Sequence, residues 1–194
     1  MPGRGNREHR HRILEDRLVL ALLTVGHGTA SEVELGTRLR DAGVLSLVDI
    51  RIGPGSRRSP HLNRSALAEW LPSYGVAYRW EQRLGGFRPP PPDSPDIALR
   101  NASFRGYAAW MRTPGFAAAV TYLLATATTR STAVMCSESV WWRCHRRLVA
   151  DFVQLVHGVP VEHLMPDGRR TPHPPTVGVR LRWDGLLVYD VPAG

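Results

Sequence analysis

The chain reads as an α/β protein, a single domain with a mainly parallel, Rossmann-like sheet flanked by helices, plus a C-terminal β-hairpin. Three observations predict this. Between Leu18 and Ile50 an apolar run, a capped amphipathic segment and a second apolar run follow one another, the order of a right-handed crossover unit with parallel strands. From Ser131 to Val153 a short apolar run (Ala133, Val134, Met135) gives way to apolar residues at helical spacing (Leu148, Val149, Phe152, Val153). Near the carboxyl end, Asp184-Gly185 separates two apolar stretches, Val177–Trp183 and Leu186–Val191, which is a strong hairpin signal.

Taken in order, Met1 to Arg17 is an arginine-rich leader expected to be loose. Leu18 to Val25 is the first strand and ends in Gly26-His27-Gly28, where the chain can turn tightly against a ligand. Ser31 caps a helix with Glu32 and Glu34 in its first turn, and Gly43 stops it. Val44 to Ile50 is a nearly continuous apolar run, expected of a strand buried on both faces. The loop Asp49 to Asn63 is too rich in Gly, Pro and Arg for regular structure. Asn63 then caps a helix over Arg64–Tyr74, ended by Gly75, and Val76–Trp80 is the third strand. After Leu84-Gly85-Gly86 and the proline run Pro89–Pro92, Phe104–Arg112 is helical or turn-like, and Pro114 opens a helix to about Ala127. Pro160–Leu164 makes the last parallel strand. The α/β domain therefore spans residues 18–165, and 166–194 is an appended tail bearing the hairpin.

All 25 basic residues are arginine, and the net charge of +8 suits a polyanionic partner or a phosphorylated substrate. Two cysteines make no secreted disulfide framework. The first apolar run is short and no stretch approaches a membrane span, so a cytoplasmic protein without a membrane partner is expected.

The chain resembles the domain-of-unknown-function family 488. The residues that carry the resemblance are Gly26-His27; Asp49, Arg51, Pro54, Ser56, Arg57, Pro60 and Asn63; Leu84-Gly85-Gly86; Phe104-Arg105-Gly106-Tyr107; and Cys136, Glu138 and Cys144-His145-Arg146. Ser137 stands where members usually carry a small residue. The resemblance implies a compact α/β fold and no particular reaction.

His27, Asp49–Arg57 and Cys136–Arg146 all follow predicted parallel strands, so they should meet at the carboxyl edge of the sheet, where open α/β sheets bind ligands. The arginines at the start of the last long helix suit a bound anion better than they suit the helix dipole. The favoured reading is a phosphorylated small molecule, a nucleotide or a nucleic-acid end held by Arg51, Ser56, Arg57, Arg105, Arg143, His145 and Arg146, with Glu138 or Asp49 as acid or base. In this reading Arg51 and Arg146 aim at one anion. An alternative makes Cys136 a thiolate nucleophile, phosphatase-like or transferring sulfur, with Glu138 or His27 moving the proton. The gap from Cys136 to Arg143 is one residue longer than in the tyrosine-phosphatase loop and lacks its glycines. A third reading, a metal on Cys136, Cys144, His145, His27 and Glu138, is set aside because adjacent Cys144 and His145 would point apart on a helix; neither metal nor cofactor is expected. A basic nucleic-acid-binding module without catalysis is the remaining alternative. Trp141 or Trp142 could stack a base beside the site, whereas Trp70, Trp80, Trp110 and Trp183 are expected in packing.

Overall fold

The computed structural model describes residues 21–191. Five parallel strands lie side by side: β1 (Leu22–Gly26), β2 (Ser46–Asp49), β3 (Ala77–Trp80), β4 (Thr132–Cys136) and β5 (Val161–Leu164). A sixth, β6 (Arg170–Pro172), runs antiparallel beside β5, so the sheet order is β3-β2-β4-β1-β5-β6. The helices are α1 (Glu32–Asp41), α2 (Arg64–Trp70), α3 (Ala102–Met111), α4 (Pro114–Ala127) and α5 (Arg146–His157). β7 (Val179–Leu181) and β8 (Leu187–Tyr189) form the separate hairpin.

Burial explains why these runs became strands. Every residue of β1, β2 and β4 is buried, as expected when helices cover both faces of a parallel sheet. Alternate residues feed two cores. Leu22, Val48, Val134 and Val161 pack with Tyr107, Phe116 and Phe152 of α3, α4 and α5. Leu23, Val25, Leu47 and Met135 pack with Leu35, Leu39 and Leu67 of α1 and α2. Capping sets several helix ends, at Ser31 and Pro114 as expected, whereas Asn63 precedes α2 without a side-chain cap because its Oδ1 accepts from Ser56 N. Ser31 and Glu34 make a reciprocal capping box on α1, Thr113 caps α4 with Pro114 at its first position, and Gly158 closes α5 at φ +65°.

The differences from expectation are local. β1 begins at Leu22, and the leader with residues 18–20 lies outside the described residues. β2 starts at Ser46 because the Val44 N–H closes α1 by donating to Leu39 O. α2 stops at Trp70, and Pro72, whose ring fits only the opening of a helical turn, lies in a 3-10 turn that runs to Tyr74. Trp183 is 95 % exposed and packs nothing.

The tail after Met165 packs onto the body of the domain. β6 joins the main sheet, and Tyr189 of the hairpin is fully buried in the α3–α5 core. A buried polar file ties the two together. His173 donates through Nε2 to Asp151 Oδ1 (3.0 Å), His163 Nε2 donates to His173 Nδ1 (3.0 Å), and the Thr24 hydroxyl donates to His163 Nδ1 (2.6 Å). The direction of this chain follows from the carboxylate at its end, which accepts only. Tyr189 Oη donates to the other oxygen of Asp151 (3.0 Å). Burial pushes His163 down to about 3, so its imidazole is neutral at physiological pH.

Candidate functional site

β2, β4 and β1 are consecutive in the sheet, and Gly26 pairs with Cys136 while Asp49 pairs with Met135. The three strand ends expected to converge therefore do. Beyond β4 the chain runs through Ser137–Val140, a 3-10 turn at Trp141–Arg143, and an extended Cys144 (φ −123°, ψ 147°) before α5 begins. That extended residue decides the geometry. On a helix Cys144 and His145 would diverge, but here both turn back toward Cys136. The His145 Nδ1 atom lies 3.7 Å from the Cys136 sulfur and 3.8 Å from the Cys144 sulfur.

The electrostatics of the trio are asymmetric. A hydrogen bond from the Cys144 thiol, joined by His145 and the Ser137 N–H, holds the Cys136 thiol well below its usual range despite burial. The same interaction, with burial, pushes Cys144 well above its own. The two sulfurs titrate as a pair, and the direction of both shifts favours Cys136 as the sulfur that gives up its proton first. The three donor atoms lie within 4.8 Å of one another, close enough to share one thiophilic ion as well. The ground on which a metal was set aside, divergence along a helix, does not hold.

The trio lines a pocket of about 380 Å³. Gly86 forms part of the wall, and a Cβ there would come within 2.8 Å of His145 Nδ1, so only glycine lets the imidazole sit at this position. Tyr107 packs edge-on against the imidazole at 4.9 Å and donates to Leu84 O (2.7 Å). Gly106 lets α3 approach the proline segment, since a Cβ there would collide with Arg88 O. The amino end of α3 opens into the pocket through Asn101 and Ser103, with Asn101 Oδ1 accepting from Ser103 N (2.8 Å). Glu138 and Arg143 complete the rim.

Arg146 lies behind this wall rather than in it. It is 1 % exposed, one guanidinium nitrogen donates to Ser139 O (3.0 Å), and Nε and Nη1 have no partner among the described residues. Gly26 makes room for it, because a Cβ there would meet both Glu138 O and the guanidinium. Burial lowers the Arg146 pKa, and the fields of Cys144, Cys136 and Glu138 oppose that shift.

The remaining predicted residues have other work. Arg51 lines the pocket, but its guanidinium is engaged: Nε and Nη2 bond Asp49 (2.9 and 2.6 Å), and Nη2 also reaches Leu62 O (2.8 Å). Asp49 is fully buried and also accepts from Tyr78 Oη (2.8 Å). Arg51 and Arg146 therefore do not aim at one anion; the first is neutralised by its own strand-exit carboxylate and the second is sealed below the surface. His27 is buried beside them. Its Nδ1–H donates to Gly28 O (2.9 Å), and Nε2 faces Arg51 Nη1 (3.3 Å), which engages both nitrogens. Burial lowers its pKa, and it is outside the pocket wall. Ser56, Arg57 and Arg105 also lie outside that wall. Ser56 shapes the loop through Asn63 (2.5 Å), and Arg105 clasps Leu99 O (2.9 Å) at the start of α3.

Asn101 and Ser103 are pocket residues that sequence reasoning did not place there. For Asn101 the signal was present, since an Asn preceding an apolar helical segment is a cap. The family described as "Domain of unknown function DUF488" matches residues 33–153. No curated protein and no solved structure matches the chain.

Proposed function

We propose, for a chain that belongs to the DUF488 family, that Cys136 is the thiolate nucleophile of an enzyme acting on a small phosphate monoester. The observation that carries this reading is the trio itself: a thiolate flanked by a thiol donor and an imidazole, opening into a pocket sized for a small molecule. A buried guanidinium without a carboxylate partner among the described residues stands behind it. Arg143 and the amino end of α3, both on the pocket wall, suit the phosphate oxygens.

The chemistry balances as a double displacement. The Cys136 sulfur attacks phosphorus, an S–P bond forms and the P–O ester bond breaks. The departing alkoxide takes its proton from the Glu138 carboxyl at the rim. Water then attacks the cysteinyl phosphate, Glu138 recovers the proton, and the thiolate leaves as orthophosphate forms. Cys144 and His145 hold the sulfur anionic in the resting enzyme and accept its departure in the second step.

The test is turnover of small phosphate monoesters, with acid-quenched samples analysed by mass spectrometry for phosphate on Cys136. The reading expects Cys136→Ser to remain folded and lose all phosphate release. Turnover that survives in Cys136→Ser removes it. Zinc carried stoichiometrically by the purified protein on the trio would reassign those side chains to a metal. Absence of turnover, with tight, steeply salt-dependent binding of long nucleic acid, would favour the binding-module alternative.

A further inference from the structure

Beside the thiolate pocket lies a second recess of about 610 Å³. Asn101 and Phe104 line both, so the two are neighbours across a shared rim. The two neighbouring tryptophans are used differently. Trp141 is stacked on His163 at 4.2 Å and 6°, which commits it to the buried polar file. Trp142 lines the recess with 46 % of its surface exposed, and Trp141 holds it edge-on at 5.6 Å. A large aromatic ring fixed by a neighbour but left open to solvent is a pre-formed stacking face.

The charge of the recess fits the same kind of ligand. The Arg147 guanidinium covers the Phe104 ring at 4.7 Å and donates to Trp142 O (3.2 Å), while its buried Nε has no partner among the described residues. Pro174 and Pro175 supply a stiff apolar wall. The recess thus combines an aromatic face, an apolar wall and a cation, next to a pocket that suits phosphate.

We infer that the recess receives the base of a mononucleotide whose phosphate enters the thiolate pocket, so that the substrate class is a nucleoside monophosphate. The base lies on Trp142 against the Pro174–Pro175 wall, and the sugar crosses the shared rim at Asn101 and Phe104. This rests on the reading of Cys136 as acting on a phosphate ester, and it accounts for neighbouring recesses together larger than a phosphate and a short sugar need. Arg147 supplies the positive charge that an anionic ligand meets on the way in.

The experiment is calorimetric binding of adenosine 5′-monophosphate, ribose 5-phosphate and adenosine to the Cys136→Ser protein, which cannot consume the ligand, with and without Trp142→Ala or Trp142→Leu. Circular dichroism confirms that each variant is folded. Base stacking contributes about 1–3 kcal/mol, so the nucleotide is expected to bind about fivefold or more tightly than ribose 5-phosphate. Either Trp142 variant should erase that advantage and leave ribose 5-phosphate binding unchanged. Equal affinities for the two phosphates overturn the inference and leave the phosphate reading of the first pocket standing. Binding of adenosine that depends on Trp142, with no gain from the phosphate, keeps the base-binding recess and overturns the phosphate pocket instead. An advantage that survives in both Trp142 variants, or no binding by any of the three, overturns the inference.

Discussion

Cys136 owes its acidity first to the Cys144 thiol and then to His145, so removing either donor has a predictable sign. Cys144→Ala and His145→Ala should each raise the apparent pKa of Cys136 toward the free-thiol value of about 8.5, and iodoacetamide labelling at pH 6 should slow by about tenfold or more. Arg146 acts on the same sulfur through charge alone. It has no carboxylate partner among the described residues, so Arg146→Met deletes a positive charge near the sulfur without stranding a buried carboxylate. The variant should raise the Cys136 pKa in the labelling profile while the melting temperature changes little. Asp49 is the opposite case. It is fully buried and neutralises Arg51, so Asp49→Ala strands a buried cation and should cost about 3–5 kcal/mol in urea unfolding.

At the scale of elements, the join between β5, β6 and α5 includes the neutral imidazole of His163, and this makes it sensitive to acid. An unfolded His163 takes up a proton near pH 6.5, whereas the folded one does so only near about 3. Between those values the unfolded chain binds more protons, so stability is fully present above about pH 6.5 and is lost progressively as the pH falls toward 3. His163→Gln should flatten that slope in urea unfolding measured from pH 7 to pH 4, and an unchanged slope would place the sensitivity in His27 or His157, which burial also depresses. Most of these elements were legible in the sequence. β1, β2 and β4 announce themselves as apolar runs because both their faces are covered, and Ser31, Pro114 and Gly43 mark helix ends by local chemistry that needs no tertiary context. β6 was not legible, because three residues ending in Pro172 show no alternation and pair only since β5 offers an edge. Cys144 was hidden for a similar reason: helical periodicity read through it, while its backbone is extended.

For the whole molecule, the sheet order brings three strand ends to one edge, and the tail decides what lies behind it. Asp96 joins the hairpin to the body, paired with Arg112 (2.7 Å) and accepting from Tyr189 N (3.2 Å). Truncation after Met165 removes His173, Thr176 and Tyr189 together, leaving buried Asp151 without three of its partners. The shortened chain is therefore expected to lose cooperative thermal unfolding, and a truncated protein melting within a few degrees of the full chain would show the tail to be a separable appendage after all. The convergence of His27, Asp49 and Cys136 could be read from strand ends alone. Their division of labour could not, because whether an arginine faces a ligand or a carboxylate depends on side-chain pairings such as Arg51 with Asp49 that strand order leaves open.

The claim on which the rest depends is that Cys136 is a resting thiolate and Cys144 its donor. The most direct measurement is the pH dependence of alkylation of the full chain, with the labelled cysteine identified by mass spectrometry at each pH. Cys136 should be labelled first, at a rate already on its plateau at neutral pH, while Cys144 reacts only in alkaline solution or after unfolding. Labelling of Cys144 before Cys136, or of both together with the profile of a free thiol near pH 8.5, would contradict the account.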